Sequence, residues 1–150
     1  MEVYQILEHT ADLRIRAFGR TLEELFGNAL AGMMDYLKSE KLKAKNVKPV
    51  KRIIKISSLD FNALLVDFLS EALTLADINQ EVYRQAEFVN FPRPVADAVR
   101  KKEAGLFLEA RLWGEKIGRF DKDIKAVTYH RLDISRNKDG LWEATIVFDI

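Results

Sequence analysis

Two short stretches hold residue types that could do chemistry: His9-Thr10-Ala11-Asp12 near the start and Val147-Phe148-Asp149-Ile150 at the end. The first is a compact polar step in front of an alternating segment. An imidazole and a carboxylate there could share acid–base work. The competing reading is an ordinary loop, with Asp12 accepting amide hydrogens in an Asx-turn. At the other end, the side chain of Asp149 and the terminal carboxylate of Ile150 crowd negative oxygen into two residues. The plain alternative there is a final strand whose last residues fray. Such oxygens repel one another unless a proton or cation enters. Hard oxygens suit Ca²⁺ or Mg²⁺, whereas zinc favours nitrogen and sulfur.

A hairpin must position the second stretch. Asn137-Lys138-Asp139-Gly140 is a strong turn signal between segments Ile124–Ile134 and Leu141–Ile150. A two-residue loop at Lys138-Asp139, or a four-residue loop over Asn137–Gly140, sets Asp149 opposite Thr128. A two-residue loop at Asp139-Gly140 sets it opposite His130. Side chains alternate faces, so either register puts Asp149 on the face of Thr128 and His130. A three-residue loop or a bulge would overturn that expectation.

The remaining elements follow from periodicity. Leu13, Ile15 and Ala17 alternate with Arg14 and Arg16, as in a half-buried strand closed by Gly19. Thr21-Leu22-Glu23-Glu24 reads as a capping box, and apolar residues at helical spacing predict a helix over Leu22–Tyr36. Lys38–Pro49 reads as a solvated connection, and Lys51–Ile56 as a strand. A second helix is expected over Asp60–Asp77, capped by Ser58 or Asp60. Strands are expected at Val82–Phe91 and Leu106–Leu112. Phe26, Leu30, Leu65, Phe68 and Leu69 are the expected core. Strands run consecutively at the end, so the reading is α+β: two helices packed on a largely antiparallel sheet, in a single domain over residues 1–150.

Composition excludes several classes. At 150 residues, a single domain buries roughly 68–70% of its unfolded surface, enough for a core without staples. Cysteine is absent, so disulfides, thiolate metal sites and cysteine nucleophiles are excluded. Twenty-four basic residues against 23 acidic ones give a net charge of +1, with no bulk drive toward nucleic acid. There is no phosphate-binding glycine loop, nucleophile elbow or His-Glu-x-x-His helix. The opening lacks the pattern of a signal peptide and no apolar run is long enough to span a bilayer, so a cytoplasmic protein with no membrane role is expected.

The opening tetrapeptide, Gly19-x-Thr-Leu-Glu-Glu-Leu-Phe, Lys125-Ala126-Val127-Thr128-Tyr129-His130 and the final Asp149-Ile150 together resemble the archease family. The resemblance covers essentially the whole chain in order, spacing and length. It implies a non-enzymatic activator of the GTP-dependent tRNA-splicing RNA ligase, promoting guanylylation and repeated turnover. It further implies a metal site at Asp12, Asp149 and Ile150, with Lys125 as the motif lysine and no catalytic residues. His9, Thr128 and His130 complete the candidate residues. The expected cofactor is a hard divalent cation, Ca²⁺ before Mg²⁺ or Mn²⁺, and tRNA would be met only through the ligase. One departure is Arg14, where the family often carries glycine. Its outward place on the strand predicts altered surface charge and an intact site; Arg131 is a second departure, with no reading from sequence. Two alternatives stand beside this one. The first is a metal-dependent phosphoesterase using His9, Asp12 and His130; the second is a general chaperone or RNA-binding accessory.

Overall fold

The computed structural model describes residues 2–8, 12–38, 49–93 and 105–150. Strands β1 (Tyr4–Glu8) and β2 (Asp12–Gly19) lead into helix α1 (Leu22–Leu37). Then come β3 (Pro49–Ser58), α2 (Phe61–Asn79), β4 (Glu81–Asn90) and β5 (Leu106–Lys116). The chain closes with β6 (Ala126–Thr128), β7 (Ser135–Arg136) and β8 (Trp142–Asp149).

Both helices begin where their caps dictate. The Thr21 hydroxyl accepts from the Glu24 amide at 3.1 Å, and the Glu24 carboxylate accepts in return from the Arg20 amide at 3.3 Å. The reciprocal bond of this capping box therefore lands one residue ahead of the cap. Gly19 permits the approach: a Cβ there would lie 2.4 Å from the Leu25 nitrogen. Asp60, and not Ser58, caps α2, accepting from the Ala63 amide at 2.8 Å.

A single sheet was expected, but the strands form two. The first has the order β1-β2-β8-β6, with β7 also paired to β8; the second has the order β3-β5-β4. Every pairing is antiparallel. Helix α1 packs on β1, β2 and β8 and also on β4, while α2 packs on β3, β4 and β5 and reaches β6. The helices thus form a layer that both sheets cover, and one continuous core fills it. Phe26, Leu30, Leu65, Phe68 and Leu69 are all buried there, as their spacing requires. Phe26 and Phe68 approach with ring centroids 5.9 Å apart, joining the two helices. Within the second sheet, Arg52 clamps the fully buried carboxylate of Glu81 through two 2.8 Å bonds. Tyr83 adds a third donor to the same group at 2.8 Å.

Strand β1 has no counterpart among the sequence expectations, and the segment Ile124–Ile134 is not one strand. Only Ala126–Thr128 pairs with β8; the chain then leaves the sheet and returns at Ser135. Arg131 adopts a left-handed conformation (φ 52°) in that excursion, beside the Leu132 amide donating to the Tyr129 carbonyl at 3.1 Å. The departure at Arg131 thus falls at a turn.

Candidate functional site

The carboxylate end is built by three strand termini. β2 starts at Asp12, β8 ends at Asp149, and the two residues are direct partners in the ladder. On the other side of β8, Ala126 pairs with Asp149, and the Lys125 amide donates to the Asp149 carbonyl at 2.7 Å. Asp12 and Asp149 therefore project on one face, with Cβ atoms about 4.5–5.5 Å apart by sheet geometry. Residues 137 positions apart in sequence meet because the strands run antiparallel over their whole length.

The expected hairpin register is corrected. The Asn137 amide donates to the Leu141 carbonyl at 2.8 Å, Gly140 sits at φ 80°, and Arg136 pairs with Trp142. This is a three-residue loop, the class that changes the register. Residues 129–134 then bulge out, so Asp149 faces Ala126 and neither Thr128 nor His130. The net slip from Thr128 to Ala126 is two residues. An even slip preserves faces, so Thr128 still shares the face of Asp149. His130 does not, because the strand ends at Thr128.

Thr128 is occupied by structural bonds. Its hydroxyl donates to the Val147 carbonyl at 2.9 Å and accepts from the His130 amide at 3.3 Å. The His130 side chain is exposed, and His9 lies outside the described residues. Sequence reasoning missed the groups that hold the motif segment. The Tyr129 hydroxyl donates to Asp67 Oδ1 at 3.1 Å, while Ser58 donates to Asp67 Oδ2 at 2.5 Å. Asn62 accepts from the Ile134 amide at 3.0 Å. Partial desolvation of the hydroxyl, then the bond to Asp67, raises the Tyr129 hydroxyl above its ordinary pKa. Asp67 sits between Val66 and Phe68 on a buried helix, a pattern that carries no sequence signal of its partner.

Asp12 is the unusual group. Its side chain is 27% exposed, yet Oδ1 is buried and accepts no hydrogen bond. Arg14 Nε lies 3.6 Å from Oδ1. Arg14 is outward on the strand, as alternation predicts, and its guanidinium reaches the Asp12 carboxylate. Among the described residues no cluster of three or more His, Asp or Glu side chains could hold a metal. What the ladder pairs is two acidic residues, Asp12 and Asp149, and one Asp12 carboxylate oxygen lacks a donor. That all-oxygen set fits a hard divalent cation, with its remaining positions left to water or a partner. A cleft of about 240 Å³ lies elsewhere, between the helix ends and the β5–β6 connection, lined by Asp77, Arg119, Asp121 and Asp123 among others.

The comparisons with known proteins converge. Residues 4–150 match the Archease protein family. The chain is 36% identical over 151 residues to the protein archease of Methanosarcina barkeri, covering 98% of this chain and 95% of that one. It is 33% identical to the protein archease of Pyrococcus abyssi, over the full length of both. In structure it is similar to the solution structure of Methanobacterium thermoautotrophicum protein 1598, with a TM-score of 0.73, 30% identity and complete coverage of both chains. A Thermotoga maritima archease crystal structure shares the fold at a TM-score of 0.56 and 18% identity, covering 97% of this chain and 96% of that one. The full-length family match and the full-length relatives above 30% identity make the conclusion plain: this chain belongs to the archease family.

Proposed function

We propose that this protein is an accessory factor of the GTP-dependent tRNA-splicing RNA ligase, holding a hard divalent cation at Asp12, Asp149 and Ile150 and promoting ligase guanylylation. The observation that carries the reading is the pairing of Asp12 with Asp149, with one Asp12 oxygen buried and without a donor. Two like charges opposed in a ladder destabilise a sheet unless something neutralises them. Ca²⁺ is the favoured occupant, with Mg²⁺ and Mn²⁺ as alternatives.

Asp12 and Asp149 would supply carboxylate oxygens, and the carboxylate of Ile150 the third anionic ligand. The Lys125–Asp149 backbone bond ties the end of β8 to the start of the Lys125–His130 segment. A divalent cation supplies charge neutralisation for phosphate oxygens in phosphoryl transfer. The chain itself would do no chemistry, would meet tRNA only through the ligase, and would act in the cytoplasm. The Thermotoga maritima relative is described as a possible chaperone, which fits an accessory role of the same kind. A stand-alone phosphoesterase is less well supported, because His130 lies off the strand that faces Asp149. The deciding experiment measures guanylylation of the cognate ligase with GTP, with and without this protein. Stimulation by wild type and its loss in Asp149→Asn are expected; equal rates in all three arms would overturn the proposal.

A further inference from the structure

Arg14 occupies an odd position for a surface cation. It stands two residues after Asp12 on the same face of β2, and its neighbours across the two ladders are Leu7 and Val147. Val147 is only 8% exposed although it lies on the face turned away from the helices. It is flanked by Arg14 on one side and Thr128 on the other, and a long aliphatic stem is the kind of group that covers such a residue. The side chain of Arg14 is 41% exposed, but its Nε is buried and donates no hydrogen bond. That nitrogen faces the equally buried and unbonded Oδ1 of Asp12 at 3.6 Å. Both atoms have left water, and neither has a hydrogen bond in return. Such a pair is attracted by charge but lacks the short directional contact that makes a guanidinium–carboxylate bond strong. It is a contact that another cation can displace.

We infer that Arg14 is a built-in counter-ion of the Asp12 carboxylate, which competes with a divalent cation for that oxygen and sets the affinity of the site. The inference rests on the cation-binding reading of Asp12 and Asp149. In the cation-free protein, the guanidinium offsets the repulsion between the two carboxylates. When a cation binds, Oδ1 exchanges Arg14 for it, and the guanidinium swings toward water with its stem kept on Val147. A positive charge left about 6 Å from a divalent cation in a water-like dielectric weakens binding roughly tenfold. Arg14 thus keeps affinity low enough for the cation to be released to an anionic partner site.

The test is calorimetric titration of Ca²⁺ into the full chain and its Arg14→Ala, Arg14→Gln and Arg14→Lys variants. Removing the charge should tighten binding roughly tenfold in the first two, while Arg14→Lys, which keeps it, should bind like wild type. Thermal unfolding without Ca²⁺ reports whether each variant is folded. The neutral variants should also gain more in midpoint on Ca²⁺ addition than wild type does. Equal or weaker binding by both neutral variants overturns the inference. Asp149→Asn separates the two readings: it should abolish binding in either background. If wild-type binding survives Asp149→Asn, or no variant binds Ca²⁺, the cation site itself is wrong.

Discussion

Asp12 and Asp149 face each other across a ladder in which opposite charges would be the stabilising choice. Their cost to the fold and their proposed use can therefore be separated. Asp149→Asn should leave cation-free stability unchanged or raise it by about 0.2–1 kcal/mol in urea unfolding, while stimulation of the ligase falls. Asp12→Asn should act the same way on stimulation, and Asp139→Asn, in the hairpin turn, should change neither reading. A second residue-scale prediction concerns Tyr129, whose hydroxyl ties the motif segment to Asp67 on α2. Tyr129→Phe should lower stability by no more than about 1 kcal/mol, because the ring is largely exposed. Its larger effect should be faster hydrogen exchange of amides 129–134, read by mass spectrometry.

Among the elements, α1 and α2 are legible because caps and periodicity agree. Thr21→Ala should cost about 1 kcal/mol through the lost bond to the Glu24 amide, with ligase stimulation kept when the protein is folded. β1 was not legible, since Tyr4-Gln5-Ile6-Leu7-Glu8 places two apolar residues side by side and breaks the alternation. Its pairing comes instead from β2, along which it lies from Tyr4 opposite Ala17 to Glu8 opposite Leu13. The stretch from Ile124 to Ile134 alternates well enough to read as one strand. Two helix side chains, Asp67 and Asn62, instead bond Tyr129 and Ile134 in the part that leaves β8. β8 carries a prediction of its own. If the proposed site takes its third ligand from the carboxylate of Ile150, residues fused after it should lower Ca²⁺ affinity with every side chain intact, as calorimetry would show.

For the whole molecule, the helix layer between two sheets is where stability resides. Phe68→Ala should cost about 3–5 kcal/mol in urea unfolding, because the ring touches Phe26 and Phe88 in a fully buried layer. Acid sensitivity should centre on Glu81. The bonds from Arg52, with a further one from Tyr83, hold its carboxyl below the ordinary value of 4.5. A depressed folded pKa contributes stability that is complete above the unfolded value and is lost as pH falls through the folded one. Urea midpoints should therefore drop as pH falls from about 4.5 downward, and Glu81→Gln should flatten that decline. Because the pair sits in the second sheet, Glu81→Gln should leave Ca²⁺ binding unaltered while the protein is folded.

The two helices and their buried faces were determined by sequence alone, because caps, periodicity and apolar spacing are local properties of the chain. The turn at Asn137–Gly140 was legible for the same reason: the Asn137 side chain accepts from the Asp139 and Leu141 amides, all within five residues. What only the tertiary structure decided are relations between distant segments. Local alternation says that a strand has two faces, but not which strand lies beside it, so one sheet was expected where two form. Register depends on a loop whose length is set by contacts to α2, so Asp149 faces Ala126 and not Thr128. The same holds for Arg14. Alternation placed it correctly on the outer face with Asp12, but only the folded structure shows its Nε 3.6 Å from that carboxylate.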